Sequence, residues 1–510
     1  MSTQVVLKDS AVRDIQLDGT VGEGFGVSIQ DARASLERVS INNVYNFGLT
    51  ALSSTLDLKD IVIENIMSFS KSEEKGYGGI AVVATTVTGE GLVVRGSENV
   101  GIGGWSNSVF RLSDVVVTDS IGPGIFFVDS RAEVSKMEVH NIEEDAMVLS
   151  NASLELERFR VFGVRGSQEI DNGTNAITAL NGSELNAYQG ILENEGETTL
   201  YFSKSSGALA DLSIQGKGNV GLSIRDASLV DAERVLIKGK TFGVIVGPAW
   251  RKNTRSYANL THIRIEGARG YGIRTTDSLV AGRRIHVSKS PVGLVNQGAQ
   301  GIIMLEEVEF SEGTLESALD PYSQNAYLSG GIGMLAHKGS RTILSTSRLH
   351  HNRTANLVLA GDYTIAELDN TRLEHAPDEA LKKVVRFEIG GKTLTTGSRK
   401  TFERYGIATF DKSRLTSKTE TPEKPKKKLI TARAEPAGKK SAGALTGAAL
   451  GISASSNEAP EEDLLLEEDS TIDAREQGEA PLDPLSQGEE GSSEGPVEIQ
   501  EDDKESGEPS

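Results

Sequence analysis

One pattern limits what this chain can fold into. An apolar residue, two variable ones, a second apolar residue, one variable one and a third apolar residue recur along most of its length. The pattern is clear at Leu36 (with Val39 and Ile41), Leu58, Leu112, Val134, Leu156, Leu209, Ala232, Leu260 and Leu305. Looser copies start at Leu344 and Leu368, where Ser347 and Thr371 take the middle place, and weaker ones at Gly89, Ala187 and Gly282. An early copy is read at Val12, which makes fifteen, most of them 22 to 24 residues apart. A fixed period of this size means one unit per repeat, stacked so that neighbours bury what a single unit cannot. Parallel strands joined through a helix need more chain than this and a helical period. The unit is therefore a coil of strands.

Two further columns agree with that register. Upstream of many copies runs a Gly-apolar-x-apolar segment, as at Gly26–Ile29, Gly79–Val82, Gly124–Phe127, Gly221–Ile224 and Gly243–Val246. Such alternation marks a strand with one buried face. Seven residues after each motif start stands a residue such as Asn43, Asn65, Gly96, Asp119, Asn141, Gly163, Asn194, Gly216, Gly239 or Gly267. These types tolerate a left-handed backbone, so one corner of every coil is expected to turn through it. Lys289 and Glu312 interrupt the column.

The Gly-led strand, the motif strand pair and the Asn/Gly corner, from about Val5 to Lys418, resemble the right-handed parallel β-helix superfamily, the pectate-lyase-like fold. The resemblance implies an all-β solenoid of about fifteen coils and a bacterial protein that is extracellular or at the cell surface. It leaves activity open, because the superfamily holds polysaccharide lyases and hydrolases as well as tailspikes and adhesins.

The net charge of −20 is not spread evenly. Of 73 acidic residues, 20 lie after Asn457, against two of the 53 basic ones. The solenoid is thus almost neutral, and nucleic acid is not an expected partner. Three segments are expected: a β-helix over 1–418, a Lys/Pro/Ala/Gly-rich linker over 419–455, and an acidic disordered tail over 456–510. No cysteine is present, so disulfides and thiolate sites are excluded. No stretch is long and apolar enough to span a bilayer. The first twenty residues have no apolar core, so no signal peptide is read; a rung starting almost at Met1 suggests that an N-terminal cap is missing.

Enzymes of the resembling fold carry acids on the outer face of the first sheet. Here the outward residues of the Gly-led strands read Ser28, Thr50, Ala81, Gly103, Phe126, Val148, Thr178, Ser223, Ile245, Arg274 and Val295, with no carboxylate. The paired acids of glycoside hydrolysis are absent from that stripe. A long dry stripe on a rod reads as a contact surface, or as a face that loops cover. The expected ligand is extended, a polysaccharide or a surface protein. Phe126, Trp250, Arg251, Tyr257, Arg274, Tyr322 and Tyr327 are the candidate binders. The alternatives are a polysaccharide lyase or glycoside hydrolase with loop acids such as Asp171 or Asp320, and a self-assembling rod. A weaker metal candidate joins His350, His351, Glu374 and His375, with His351 and His375 expected one coil apart. His262 and His286 read as solvated. No phosphate-binding loop, GxSxG or HExxH occurs, and no cofactor is expected.

Overall fold

A computed structural model describes residues 3–15, 24–67, 78–165, 174–248, 254–316, 318–319, 326–328, 330–374, 386–389, 392–395, 407–410 and 413–417. The chain divides into Met1–Lys427 and Lys428–Ser510, and every described residue lies in the first unit.

Among the described residues all regular elements are strands. The Gly-led strands form one 15-stranded sheet and the motif strands a 20-stranded one. In both, each strand pairs in parallel with its counterpart one coil away, as Ile125–Val128 does with Met147–Ser150 and Arg131–His140 with Ser153–Val164. The chain is a parallel β-helix. A small antiparallel sheet interrupts it, made of Ala318–Leu319, Ala326–Leu328, Arg386–Ile389 and Lys392–Thr395.

The apolar columns stack in register. Leu36 pairs with Leu58, and Val134 lies between Leu112 and Leu156. Their side chains fill one continuous core from Ile29 to Ile407. The first copy is corrected by one bend of the chain. Leu7 pairs with Leu36, Ser10 with Val39 and Val12 with Ile41, so the motif starts at Leu7 rather than Val12. Ser10 in the middle apolar slot concealed it.

The corners are also more regular than the sequence suggests. In most coils three residues, not one, take the left-handed conformation: Asp31, Arg38 and Asn43; Ser53, Asp60 and Asn65; Asp129, Lys136 and Asn141. The second of each triplet sits inside the motif itself and bends the strand pair. Asn194 does not take it, contrary to expectation: a register shift pairs it with Val164, and it is fully buried. Lys289 (φ 57°) and Glu312 (φ 54°) keep the conformation of their column although their residue types break it.

The glycine that opens the first strand of many coils has a steric cause. A Cβ on Gly101 would lie 2.5 Å from Gly124 O and 2.4 Å from Val117 Cγ1. Gly26, Gly48, Gly79, Gly243, Gly272 and Gly293 meet the carbonyl of the next coil in the same way, at 2.4 to 2.7 Å. The backbone turns so tightly there that a side chain would enter both the next coil and the core.

Candidate functional site

The outer face of the Gly-led sheet has two different halves. The row Ser28, Thr50, Ala81, Gly103, Phe126, Val148, Thr178, Tyr201, Ser223, Ile245, Arg274, Val295, Leu335, Val358 and Ala408 runs in register along it. Over the first coils it is open: Ser28 is exposed, and Thr50, Phe126 and Val148 are half-buried. Ala81, Thr178 and Ser223 are already buried there, and from Ile245 onward the face is closed. Ile245, Val295, Leu335, Val358 and Ala408 are at most 2% exposed and join Phe242, Tyr271, Val292 and Phe410 in a second apolar core. The expectation of one dry contact stripe along the whole rod is therefore corrected. Apolar residues there fill a covered layer, because burial removes them from water just as the main core does.

The open half carries an aromatic platform. Trp105 ends strand Val100–Trp105, and its indole folds back over the bare backbone of Gly103; a Cβ there would lie 2.1 Å from Trp105 Cη2. Phe126, on the next coil, stands with its ring centroid 6.0 Å from that of Trp105. Leu52 and Val83, paired with each other in the row ending at Trp105, are exposed. Sequence reading placed Phe126 here but missed Trp105. The signal was the pair Gly103–Gly104 before a tryptophan, which leaves room for an indole to lie flat.

Beside this platform, at the corner that begins with Ser106, runs a polar groove of about 630 Å³. Asn107, Asp129, Arg131, Asn151 and Glu184 line it from four successive coils. Asn151 Nδ2 donates to Asp129 Oδ1 at 2.6 Å, and both residues hold the left-handed corner conformation that turns their side chains outward. Further along the face, Asp145 reaches in from the corner before strand Met147–Ser150. Burial raises its carboxyl above the usual range, against the bonds it accepts from Thr178 Oγ1 (2.5 Å) and Asn175 N (2.7 Å). Both oxygens are engaged, which makes Asp145 an anchor for strand Asn175–Leu180. Burial also raises the Tyr201 phenol next to it. Arg225 Nε donates to Ser223 Oγ at 2.9 Å where the open half ends.

The other candidate binders do not gather here. Arg274 is on the outer face as expected, but it lies within the closed half, 8% exposed, with its guanidinium carbon 5.8 Å from the Tyr271 ring centre. Tyr257 opens a motif strand, paired with Leu229 and Leu279, and belongs to the other sheet. Tyr327 falls in strand Ala326–Leu328 of the small sheet. Trp250, Arg251 and Tyr322, with the loop acids Asp171 and Asp320, lie outside the described residues.

The histidine set expected to hold a metal lies partly outside the described residues. Among the described residues no group of three or more His, Asp or Glu side chains is arranged to hold a metal ion. Glu374 is held by Arg348 (2.9 Å) and Arg372 (2.6 Å), and His375 is outside the described residues. Instead His350 Nε2 meets Glu309 Oε1 at 2.5 Å, and His350 Nδ1 meets His351 Nδ1 at 2.6 Å. His286 is not merely solvated, since its Nδ1 lies 3.2 Å from Glu309 Oε2; His262 Nε2 likewise lies 2.9 Å from Arg284.

The chain is similar to several solved structures. An alginate lyase in complex with G6 is 10% identical, with 77% of this chain and 90% of that one covered and a TM-score of 0.24. A PL6 alginate lyase in complex with a trisaccharide is 11% identical, covering 81% and 96%, with a TM-score of 0.21. The A-module of the mannuronan C-5 epimerase AlgE6 of Azotobacter vinelandii is 12% identical, covering 74% and 92%, with a TM-score of 0.24. No protein-family model and no curated protein matches the chain.

Proposed function

We propose that the chain binds an extended glycan on the open half of its Gly-led face. The observation that carries this reading is the Trp105–Phe126 platform beside a groove lined by Asn, Asp, Arg and Glu. A sugar ring has an apolar face of C–H groups and a rim of hydroxyls. The first packs on an aromatic face, and the second both donates to carboxylates and accepts from guanidinium and amide groups. The aromatic pair spans two adjacent coils and the polar groove four, at the strand spacing of about 4.8 Å. A polymer is therefore met over more than one of its units. Recognition rather than bond cleavage is proposed for this face. Among the described residues two carboxylates stand low in it: Asp145, occupied in holding Asn175 and Thr178, and Asp226, 4% exposed, which accepts from Ser203 Oγ at 3.3 Å.

The test is binding of the full chain to oligosaccharides of increasing length, neutral and acidic. Trp105→Ala is expected to cost about 2 kcal/mol of affinity, the size usual for a buried aromatic anchor. Tyr363→Ala, a highly exposed aromatic elsewhere, should change nothing. Binding that ignores Trp105→Ala, or no binding to any glycan, sinks the reading.

A further inference from the structure

A second constellation lies on the opposite side of the coil, where the second arm of the motif strands reaches its corner. Glu309, His350 and His351 form a connected chain: Glu309 Oε1 to His350 Nε2 at 2.5 Å, then His350 Nδ1 to His351 Nδ1 at 2.6 Å. The two rings are nearly perpendicular, at 77°, with centroids 4.7 Å apart. His350 is buried, whereas His351 is exposed at the left-handed corner, φ 53°, in the column that holds Glu312 one coil earlier. An open pocket of about 540 Å³ has His351, Glu312, Thr314, Glu316 and Arg353 in its wall. Thr314 Oγ1 is buried there with no hydrogen-bond partner.

Proton counting fixes the neutral tautomers. The ionised Glu309 only accepts, so His350 must donate from Nε2 and accept at Nδ1. His351 must then donate from Nδ1, which leaves the lone pair on its Nε2 free. Burial works to raise the Glu309 carboxyl, but the bond from His350 and the charge and bond of His286, whose Nδ1 lies 3.2 Å from Glu309 Oε2, outweigh it and leave it below the usual range. Glu309 therefore stays ionised at the end of the relay.

We propose that His351 is a general base, oriented through His350 by Glu309, and that the pocket hydrolyses carboxylic esters of polyhydroxylated compounds. Water gives a proton to His351 Nε2 while its oxygen bonds to the acyl carbon. Arg353 supplies positive charge for the oxyanion. The ester C–O bond then breaks, and the departing alkoxide takes the proton back from Nε2, giving acid and alcohol. Glu312 and Glu316 offer partners to the hydroxyls of the alcohol part. His350 and Glu309 are positioning residues and touch no substrate.

The experiment uses the full chain with p-nitrophenyl acetate. His351→Ala and His351→Gln are each expected to lower kcat/KM by about 100-fold, the usual size for general-base loss, while His262→Ala, another histidine on the same sheet, leaves it unchanged. Glu309→Gln should lower kcat with little change in KM; a purely structural role for Glu309 would not split the two in this way. Ring-nitrogen NMR should find His351 protonated on Nδ1 at neutral pH. Wild-type hydrolysis no faster than that of both His351 variants, or a His351 protonated on Nε2, overturns the proposal.

Discussion

At the scale of single residues, the corners decide what the sequence can and cannot show. Asn43, Asn65 and Asn141 announce a left-handed turn because their type favours it. Arg38, Lys136 and Arg158 adopt the same conformation without announcing it, since the strand pairs on either side impose it. Their charges serve another end: Arg38 pairs with Asp9 at 2.5 Å, and Lys136 with Asp114 at 3.1 Å, each across one coil. Buried ionisable groups are equally hard to foresee from sequence. His337 ends strand Ile332–His337 on the closed face, 3% exposed. Burial first, then the charges of Lys338 and Arg274, push its imidazole down to about 3. The unfolded chain takes up this proton near the ordinary value of about 6.5 and the folded chain does not. This contribution to stability is therefore complete above about pH 6.5 and lost as pH falls toward 3, at up to about 1.4 kcal/mol per unit. His337→Gln should flatten the acid side of the stability profile in denaturant titrations between pH 7 and 4. An unchanged slope would show that the imidazole takes up its proton in the folded state.

At the scale of the strand and the coil, the reading from sequence was most successful where one residue type meets one steric demand. The Gly-apolar-x-apolar signature reflects a carbonyl of the next coil lying where a Cβ would go. Gly101→Ala should cost about 1–3 kcal/mol, as overpacking does; Ala146, which takes the same place on a coil where a methyl is accommodated, should tolerate Gly at about 1 kcal/mol. Denaturation midpoints of the two variants test this, and a Gly101→Ala protein as stable as the parent would contradict it. The first coil was misread for the converse reason, because a small polar residue, Ser10, holds an inward slot. The closed face was misread because alternation shows which side a residue takes and not what lies over that side. Ile245 and Val295 alternate as faithfully as Ala81 and Phe126, yet the first two are buried and Phe126 is not. Trp105 escaped for a related reason: its ring serves the coil at Gly103, two residues back, and not its own position.

At the scale of the whole solenoid, the main core is shared by all coils, whereas the second apolar layer covers only the later ones. Backbone amides under that layer have a further barrier against opening. Hydrogen exchange should therefore be slower in Phe242–Gly247, Val292–Gln297 and Ile332–His337 than in Phe47–Leu52 and Gly78–Val83. Equal protection would mean that the outer layer adds nothing to local stability. The same asymmetry gives the rod a direction. Along the outer row exposure falls from Ser28, through the half-buried Thr50, Phe126, Val148 and Tyr201, to Ser223 and Ile245, each 2% exposed. On the proposed glycan reading, a polymer end would be seated where the covered layer begins and counted from there coil by coil, which would make the solenoid a ruler with a zero mark.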